Sequence, residues 1–193
     1  MNLVIYIHGK NGSPAEAEHY KKFFPDCEVI GLEYKNSADI ACAVNNFKNI
    51  YDKIILVANS IGAFLAMNAG IDEKIFKAYF ISPIVDMEKL ILNLMALSNV
   101  TEEDLKRRGI IETSFGENLS WEYLKYVREN PIQWNVPTKI LYGSKDNLTS
   151  MQTIREFAEK HNANVTVMEN GEHWFHTEEQ IKFLDNWIKN RRD

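Results

Sequence analysis

The chain is poor in cysteine, in surplus positive charge and in long apolar runs, and each shortage closes off a class of function. Cys27 and Cys42 are the two cysteines in 193 residues. That is too few for a disulfide framework, and their spacing matches no metal-ligand pattern, so free, partly buried thiols are expected. Lysine and arginine number 22 against 27 aspartates and glutamates, a net charge of -5, and the basic residues are scattered. A nucleic-acid partner is therefore not expected. The one short basic run, Lys106-Arg107-Arg108, follows acidic residues 102–104 and reads as a solvated helix face. No stretch reaches the roughly 18 consecutive apolar residues that span a bilayer, and the first residues run into a strand pattern without the parts of a signal peptide. The expectation is a cytoplasmic protein without membrane insertion, a monomer or homodimer, with no metal and no organic cofactor.

What is present in quantity is apolar residue, 45% of the chain, enough for the core of one domain over residues 1–193. Short β-rich runs recur at residues 3–7, 27–32, 53–58, 78–81, 138–142 and 164–168. Several, such as LVIYI and IILVA, are continuously apolar rather than alternating, which suits strands covered on both faces. Helical spacing fills residues 14–24, 37–50, 61–70, 149–161 and 177–190, and Thr177-x-x-Gln180 has the spacing of a capping box. Strand and helix in alternation predict a three-layer α/β/α sandwich around a parallel sheet. The alternation breaks over residues 86–135, which carry helical patterns and no convincing strand. A helical insertion there would sit beyond the C-terminal ends of the strands, where such sheets bind ligands, as a small lid; ordinary helical packing would give the same spacing. There is no internal repeat.

The most informative stretch is KIILVANSIGAFLAM. A strand runs into Ala58-Asn59-Ser60-Ile61-Gly62 and a small-residue helix follows at once. A serine on so tight a strand-to-helix turn is pushed out at the C-terminal end of the sheet, and its neighbours two residues away on either side must be small. Ala58 and Gly62 meet that need. The backbone N–H of Ile61, at the start of the helix, points to where an oxyanion would form.

Such a serine needs a base and an acid, which on this kind of fold follow it in the order acid, then histidine. Asp146 lies in the loop after the strand TKILYG, with a helix cap as its bland alternative and Asp86 in reserve. Two histidines follow the last strand. His173 comes directly after the Gly171 turn, where Trp174 and Phe175 could pack its loop on the sheet; His176 adjoins the helix start. His173 is the favoured base, and alanine at that position would leave turnover nearly intact if His176 were the base instead.

These motifs together resemble the α/β-hydrolase fold family, and among its members the small serine esterases and lipases. The resemblance spans nearly the whole chain: His8-Gly9, the Ala58-to-Gly62 turn, Gly143 with Asp146, and Gly171-Glu172-His173. The family usually opens with an antiparallel strand pair that this sequence lacks, so the resemblance implies six parallel strands in the order 2-1-3-4-5-6. It also implies a Ser60-His173-Asp146 triad that hydrolyses carboxylic esters of small or medium acyl groups through an acyl-enzyme. Thioesterase, peptidase or acyltransferase chemistry could use the same triad, as could a binding protein that keeps the shape without turnover. The pattern has alanine at position 58 where glycine is usual.

The loop HGKNGSP does not match a phosphate-binding loop, because Lys10 precedes Gly12 instead of following it. With His173 as base, His8 is left to organise its own loop, and the resemblance implies that the N–H of Lys10 joins that of Ile61 in an oxyanion hole. Trp121, Tyr123, Tyr126 and Trp134 either line a substrate pocket or pin the insertion by packing.

Overall fold

The computed structural model describes residues 1–114 and 116–190. Its main unit takes in residues 1–85 and 133–190, and a second compact unit spans Asp86–Ile132.

In the main unit the six apolar runs form β1 (Asn2–Ile7), β2 (Cys27–Gly31), β3 (Lys53–Asn59), β4 (Ile75–Ile81), β7 (Thr138–Gly143) and β8 (Asn164–Met168); β5 and β6 belong to the second unit. They pair in parallel in the order β2-β1-β3-β4-β7-β8. The helices are α1 (Glu18–Lys21), α2 (Ser37–Phe47), α3 (Ile61–Met67), α7 (Met151–Lys160) and α8 (Glu178–Lys189). Residues 14–24 do not form one helix. Pro14 opens a 3-10 turn over Pro14–Ala17 that runs into the single turn of α1.

Strand register separates two cores. Val4, Tyr6, Val57, Tyr79, Ile81 and Leu141 face one way and are buried with Tyr20 and Phe24 from the α1 region and Leu184 and Ile188 of α8. Leu3, Ile5, Leu56, Ala58, Phe80 and Ile140 alternate to the other face and are equally buried. There α3 presses on β1, because Gly62 stands against the Ile7 side chain. Each such buried aliphatic is worth about 1.5–3 kcal/mol over an exposed one.

The order of strands places β1 and β3 side by side while their onward connections leave in opposite directions. That is the switch point of the sheet, where a crevice opens at the C-terminal strand ends. The loop after β1 and the turn after β3 therefore meet.

The second unit holds α4 (Met87–Leu97), α5 (Glu102–Arg108), β5 (Ile110–Glu112), β6 (Asn118–Ser120) and α6 (Trp121–Glu129). Arg128 of α6 ties its three helices, with Nε 2.6 Å from Glu88 Oε1 and a bidentate pair to Glu102 at 2.6 and 2.8 Å. The antiparallel β5–β6 pair corrects the expectation of a purely helical stretch. Three residues per strand are too few to show a period of two, and the hairpin is closed by Thr113, whose Oγ1 bonds both the N–H and the carbonyl of Glu117. Among the described residues no helix is long and apolar enough to cross a membrane.

Gly31 at the end of β2 admits no side chain, since a Cβ there would lie 1.9 Å from the Pro14 carbonyl oxygen. Gly31→Ala is expected to cost about 3 kcal/mol by overpacking, read as a lower urea midpoint at unchanged slope. An unchanged midpoint would show that the turn at Pro14 does not pack on β2 this closely.

Candidate active site

The turn from β3 to α3 places Ser60 at φ 51° and ψ -120°. A non-glycine residue takes such a conformation at a cost of order 1–3 kcal/mol, when its surroundings leave no alternative. Here the Ser60 N–H donates to the Ile81 carbonyl at 3.0 Å, and the Ser60 carbonyl accepts from the N–H groups of Ala63 and Ile84, each at 3.2 Å. Gly62 completes the constraint, because a Cβ on it would come within 2.4 Å of the His8 carbonyl oxygen. On the other side of the turn, Ala58 is fully buried between Ile7 and Phe80 of the neighbouring strands. The methyl group is accommodated in the core.

The loops after β7 and β8 are bound to one another. A Cβ on Gly143 would lie 2.4 Å from the Gly171 carbonyl oxygen. Lys145 N–H donates to Gly171 O at 2.8 Å, Ser144 N–H to Met168 O at 3.0 Å and Asn170 N–H to Ser144 Oγ at 2.8 Å. This stitching brings Asp146 and His173 together. His173 Nδ1 stands 2.7 Å from Asp146 Oδ2, and His173 Nε2 stands 2.8 Å from Ser60 Oγ.

Proton positions follow from chemistry. A carboxylate only accepts, so Nδ1 carries the hydrogen and Nε2 presents its lone pair to the serine hydroxyl. The Asp146 side chain has no exposed surface and that of His173 is 15% exposed. Burying a carboxylate is tolerable only if its oxygens are bonded. Oδ1 meets that condition with the N–H groups of Leu148 at 2.8 Å and Thr149 at 3.0 Å. The Asx turn that Asp146 makes thus coexists with its bond to His173.

No family model and no curated protein sequence matches the chain, but many solved structures share its shape. Est1E from Butyrivibrio proteoclasticus superposes with a TM-score of 0.76 at 15% identity, over 97% of this chain and 85% of that one. The chain has the α/β-hydrolase fold. Alpha/beta hydrolase domain-containing protein 10 from mouse gives 0.74 at 19% identity, over 97% and 88% of the two chains. A thermophilic esterase from the planctomycete Thermogutta terrifontis gives 0.62 at 17% identity, over 97% and 82%.

Within this α/β-hydrolase fold the rival residues take other places. Asp86 caps α4, accepting from Lys89 N–H at 2.9 Å. His176 stacks on Trp174 with centroids 4.6 Å apart, and its Nδ1 bonds the Trp174 carbonyl at 2.7 Å. Of the pair expected to pack the His173 loop, Phe175 enters the core whereas Trp174 is 69% exposed. Trp134 is also not where a pocket residue would be. Its ring is buried against Phe80, and its Nε1–H donates to Thr138 Oγ1 at 2.8 Å, so it is spent on the core of the main unit. Tyr123 and Tyr126 stack on each other in α6, both partly exposed, and Trp121 lies under the Lys106 ammonium group.

The loop after β1 is clamped by residues that pattern reading passed over. The Tyr34 hydroxyl donates to the His8 carbonyl, and the two rings stand 4.7 Å apart. His8 Nδ1 bonds Gly9 O at 2.8 Å while its Nε2 is buried and has no hydrogen-bond partner. Glu16 accepts from Ser13 N–H at 2.9 Å and from the Tyr6 hydroxyl at 2.5 Å. Ser13-x-x-Glu16 has the spacing of a capping box and was the available signal for Glu16; nothing local marks Tyr34. Together these bonds carry Gly9 to the turn, where a Cβ would stand 3.3 Å from Ser60 Cβ, with Lys10 next in line.

Burial pushes the Tyr34 phenol up to about 12, and the Glu16 and Glu33 carboxylates add to the shift. Tyr6 is raised as well, by burial first, then by Tyr20 and its bond to Glu16. These protonated phenols stabilise the native state fully below the unfolded value near 10, and that contribution is lost as pH rises towards 12. The unfolding free energy is expected to fall with pH across that window, less steeply in Tyr34→Phe. An equal slope in both proteins would show that the clamp does not hold the phenol protonated.

Proposed function

We propose that this protein is a serine hydrolase acting on carboxylic esters of small or medium acyl groups. The observation that carries the reading is the unbroken relay from Ser60 Oγ to His173 at 2.8 Å and from His173 to the buried Asp146 at 2.7 Å. The neighbours in shape support the choice of ester. Est1E has been seen with ferulic acid bound, and the Thermogutta terrifontis esterase with propionate and with butyrate.

In this mechanism His173 takes the proton of Ser60 as the hydroxyl attacks the acyl carbonyl, and the bond to Asp146 stabilises the imidazolium that forms. The tetrahedral oxyanion is met by the N–H groups of Lys10 and Ile61, two donors fixed by main-chain geometry before the substrate arrives. The imidazolium then protonates the leaving alcohol, which leaves an acyl group on Ser60. Water, deprotonated by the same histidine, releases the acid and restores the serine. Each proton passes between Nε2 and the reacting oxygens, so neither metal nor organic cofactor enters any step.

A fluorophosphonate probe is expected to label the folded protein at Ser60 and to leave Ser60→Ala unlabelled; an unlabelled wild type would sink the reading. On a panel of acyl esters of graded chain length, Ser60→Ala should lose turnover and Asp146→Asn should lose roughly 10⁴-fold in kcat, the cost of fixing the wrong histidine tautomer. Lys10→Ala and His176→Ala should remain near wild type. A loss in Lys10→Ala as large as that in Ser60→Ala would overturn the main-chain role given to residue 10.

A further inference from the structure

The two main-chain donors given to the oxyanion come from different segments, Lys10 from the loop after β1 and Ile61 from the turn after β3. For both to meet one oxygen, the segments have to be held at a fixed separation. The contacts of Gly62 with the His8 carbonyl and of Gly9 with Ser60 limit how closely they approach. Contacts of that kind do not stop the segments from drifting apart. Hydrogen bonds that run between them do.

One buried residue carries such bonds. Tyr6 is 1% exposed and stands in the apolar run of β1. Phenylalanine would fill the same space, and a hydroxyl buried there costs free energy unless it is bonded. The Tyr6 hydroxyl donates to Glu16 Oε2 at 2.5 Å. Tyr6 also pairs with Val57, so Asn59, two residues further along β3, lies on the same face of the sheet. Burial, then Tyr20 and Glu16, push the Tyr6 phenol up, and a hydrogen bond with the Asn59 side chain acts in the opposite sense. A bond that favours the phenolate is one donated to it, so the carboxamide N–H of Asn59 is the donor. The Tyr6 oxygen thus takes a bond from the residue before Ser60 and gives one to Glu16.

Glu16 carries the connection into the loop after β1. Its Oε1 accepts from Ser13 N–H at 2.9 Å, and a Cβ on Gly12 would stand 2.8 Å from the same oxygen, so the carboxylate is seated on the main chain of the loop. Gly12 N–H in turn donates to Gly9 O at 3.1 Å. Gly9 closes the circuit, since a Cβ there would lie 3.5 Å from Asn59 O and 3.7 Å from Asn59 Cγ. Lys10 falls inside this circuit, between Gly9 and Gly12, and Ile61 comes two residues after Asn59. The capping-box spacing at Ser13 accounts for one Glu16 oxygen. It does not account for the second, which reaches a tyrosine ten positions away in the sheet.

We propose that Tyr6 and Glu16 are positioning residues for the hydrolysis, holding the loop after β1 against the turn after β3 so that the Lys10 and Ile61 N–H groups meet a single oxyanion. The inference rests on the serine hydrolase reading above. Neither residue touches the substrate; both act through Asn59 and the main chain of the loop.

The test is kinetic and uses the full chain. Tyr6→Phe and Glu16→Ala are each expected to lower kcat on a soluble acyl ester about 10- to 100-fold, the cost of a misplaced donor, with KM within about twofold of wild type. A fluorophosphonate should label Ser60 to the same final extent in both variants, at a rate lower by about the same factor as kcat. A trifluoromethyl ketone, which adds Ser60 to give a hemiketal oxyanion, should bind more weakly by that factor too. Tyr20→Phe is the control, because it removes a hydroxyl from the ring stacked on Tyr6 at 5.0 Å and should leave all three readouts within about twofold of wild type. Should Tyr6→Phe misfold, Glu16→Ala, at an exposed position, decides the matter. The proposal is overturned by unchanged kcat in the variants, by a loss that appears in KM, by a loss matched by a smaller labelled fraction, or by an equal loss in Tyr20→Phe. A wild type that neither labels nor turns over esters overturns the hydrolase reading and this inference with it, whereas an active wild type with normal variants overturns this inference alone.

Discussion

The main unit is organised around one strained residue. Ser60 at φ 51° is stable because the elements on both sides leave the chain no other course. β3 delivers it between β1 and β4, Ile81 and Ile84 take up its backbone groups, and α3 begins so close to β1 that Gly62 touches the His8 carbonyl. The helix cannot start one residue later without driving a side chain into β1. The strain at Ser60 and the missing side chain at Gly62 are thus two consequences of a single demand, that a helix turn back at once over the end of a buried strand.

The second demand is electrostatic. Asp146 is a carboxylate with no exposed side-chain surface, and the bonds from Leu148, Thr149 and His173 are what make its burial tolerable. Two of those three donors are main-chain groups of its own loop, so the loop's conformation and the charge support each other. The third comes from a different loop, which explains the close contact of Gly143 with Gly171. A side chain at position 143 would meet the Gly171 and Glu172 carbonyl oxygens at 2.4 and 2.6 Å and force the loops apart, which would loosen the imidazole from its orienting partner.

Much of this was legible in the sequence, for identifiable reasons. The runs LVIYI of β1 and IILVA of β3 are continuously apolar because both faces of these central strands are covered, and strand order followed from the family resemblance carried by Ser60 and its partners. Asp146 and His173 could be selected because each stands just after a glycine that ends or follows a strand. What could not be read depends on contacts between distant segments. Tyr34 reaches His8 across 26 positions with no local motif to mark it. The sequence leaves Trp134 between lining a pocket and packing, because an aromatic in an irregular stretch gives no sign of which side of the sheet it will meet; its burial on Phe80 is a tertiary outcome. The β5–β6 hairpin escaped notice because three-residue strands carry no period, and its turn is made by Thr113 bonding.

The clamp on the loop after β1 bears on what kind of donor that loop can offer. Tyr34 fixes the His8 carbonyl, His8 bonds Gly9, and Glu16 holds Ser13, so the main chain is restrained on both sides of Lys10. A restrained backbone N–H costs no reorganisation when charge appears beside it. Under the proposed mechanism the bonds invested around Lys10 keep its amide in place as a donor. They also account for a partly buried polar network in a loop that contains no catalytic side chain under the proposed mechanism.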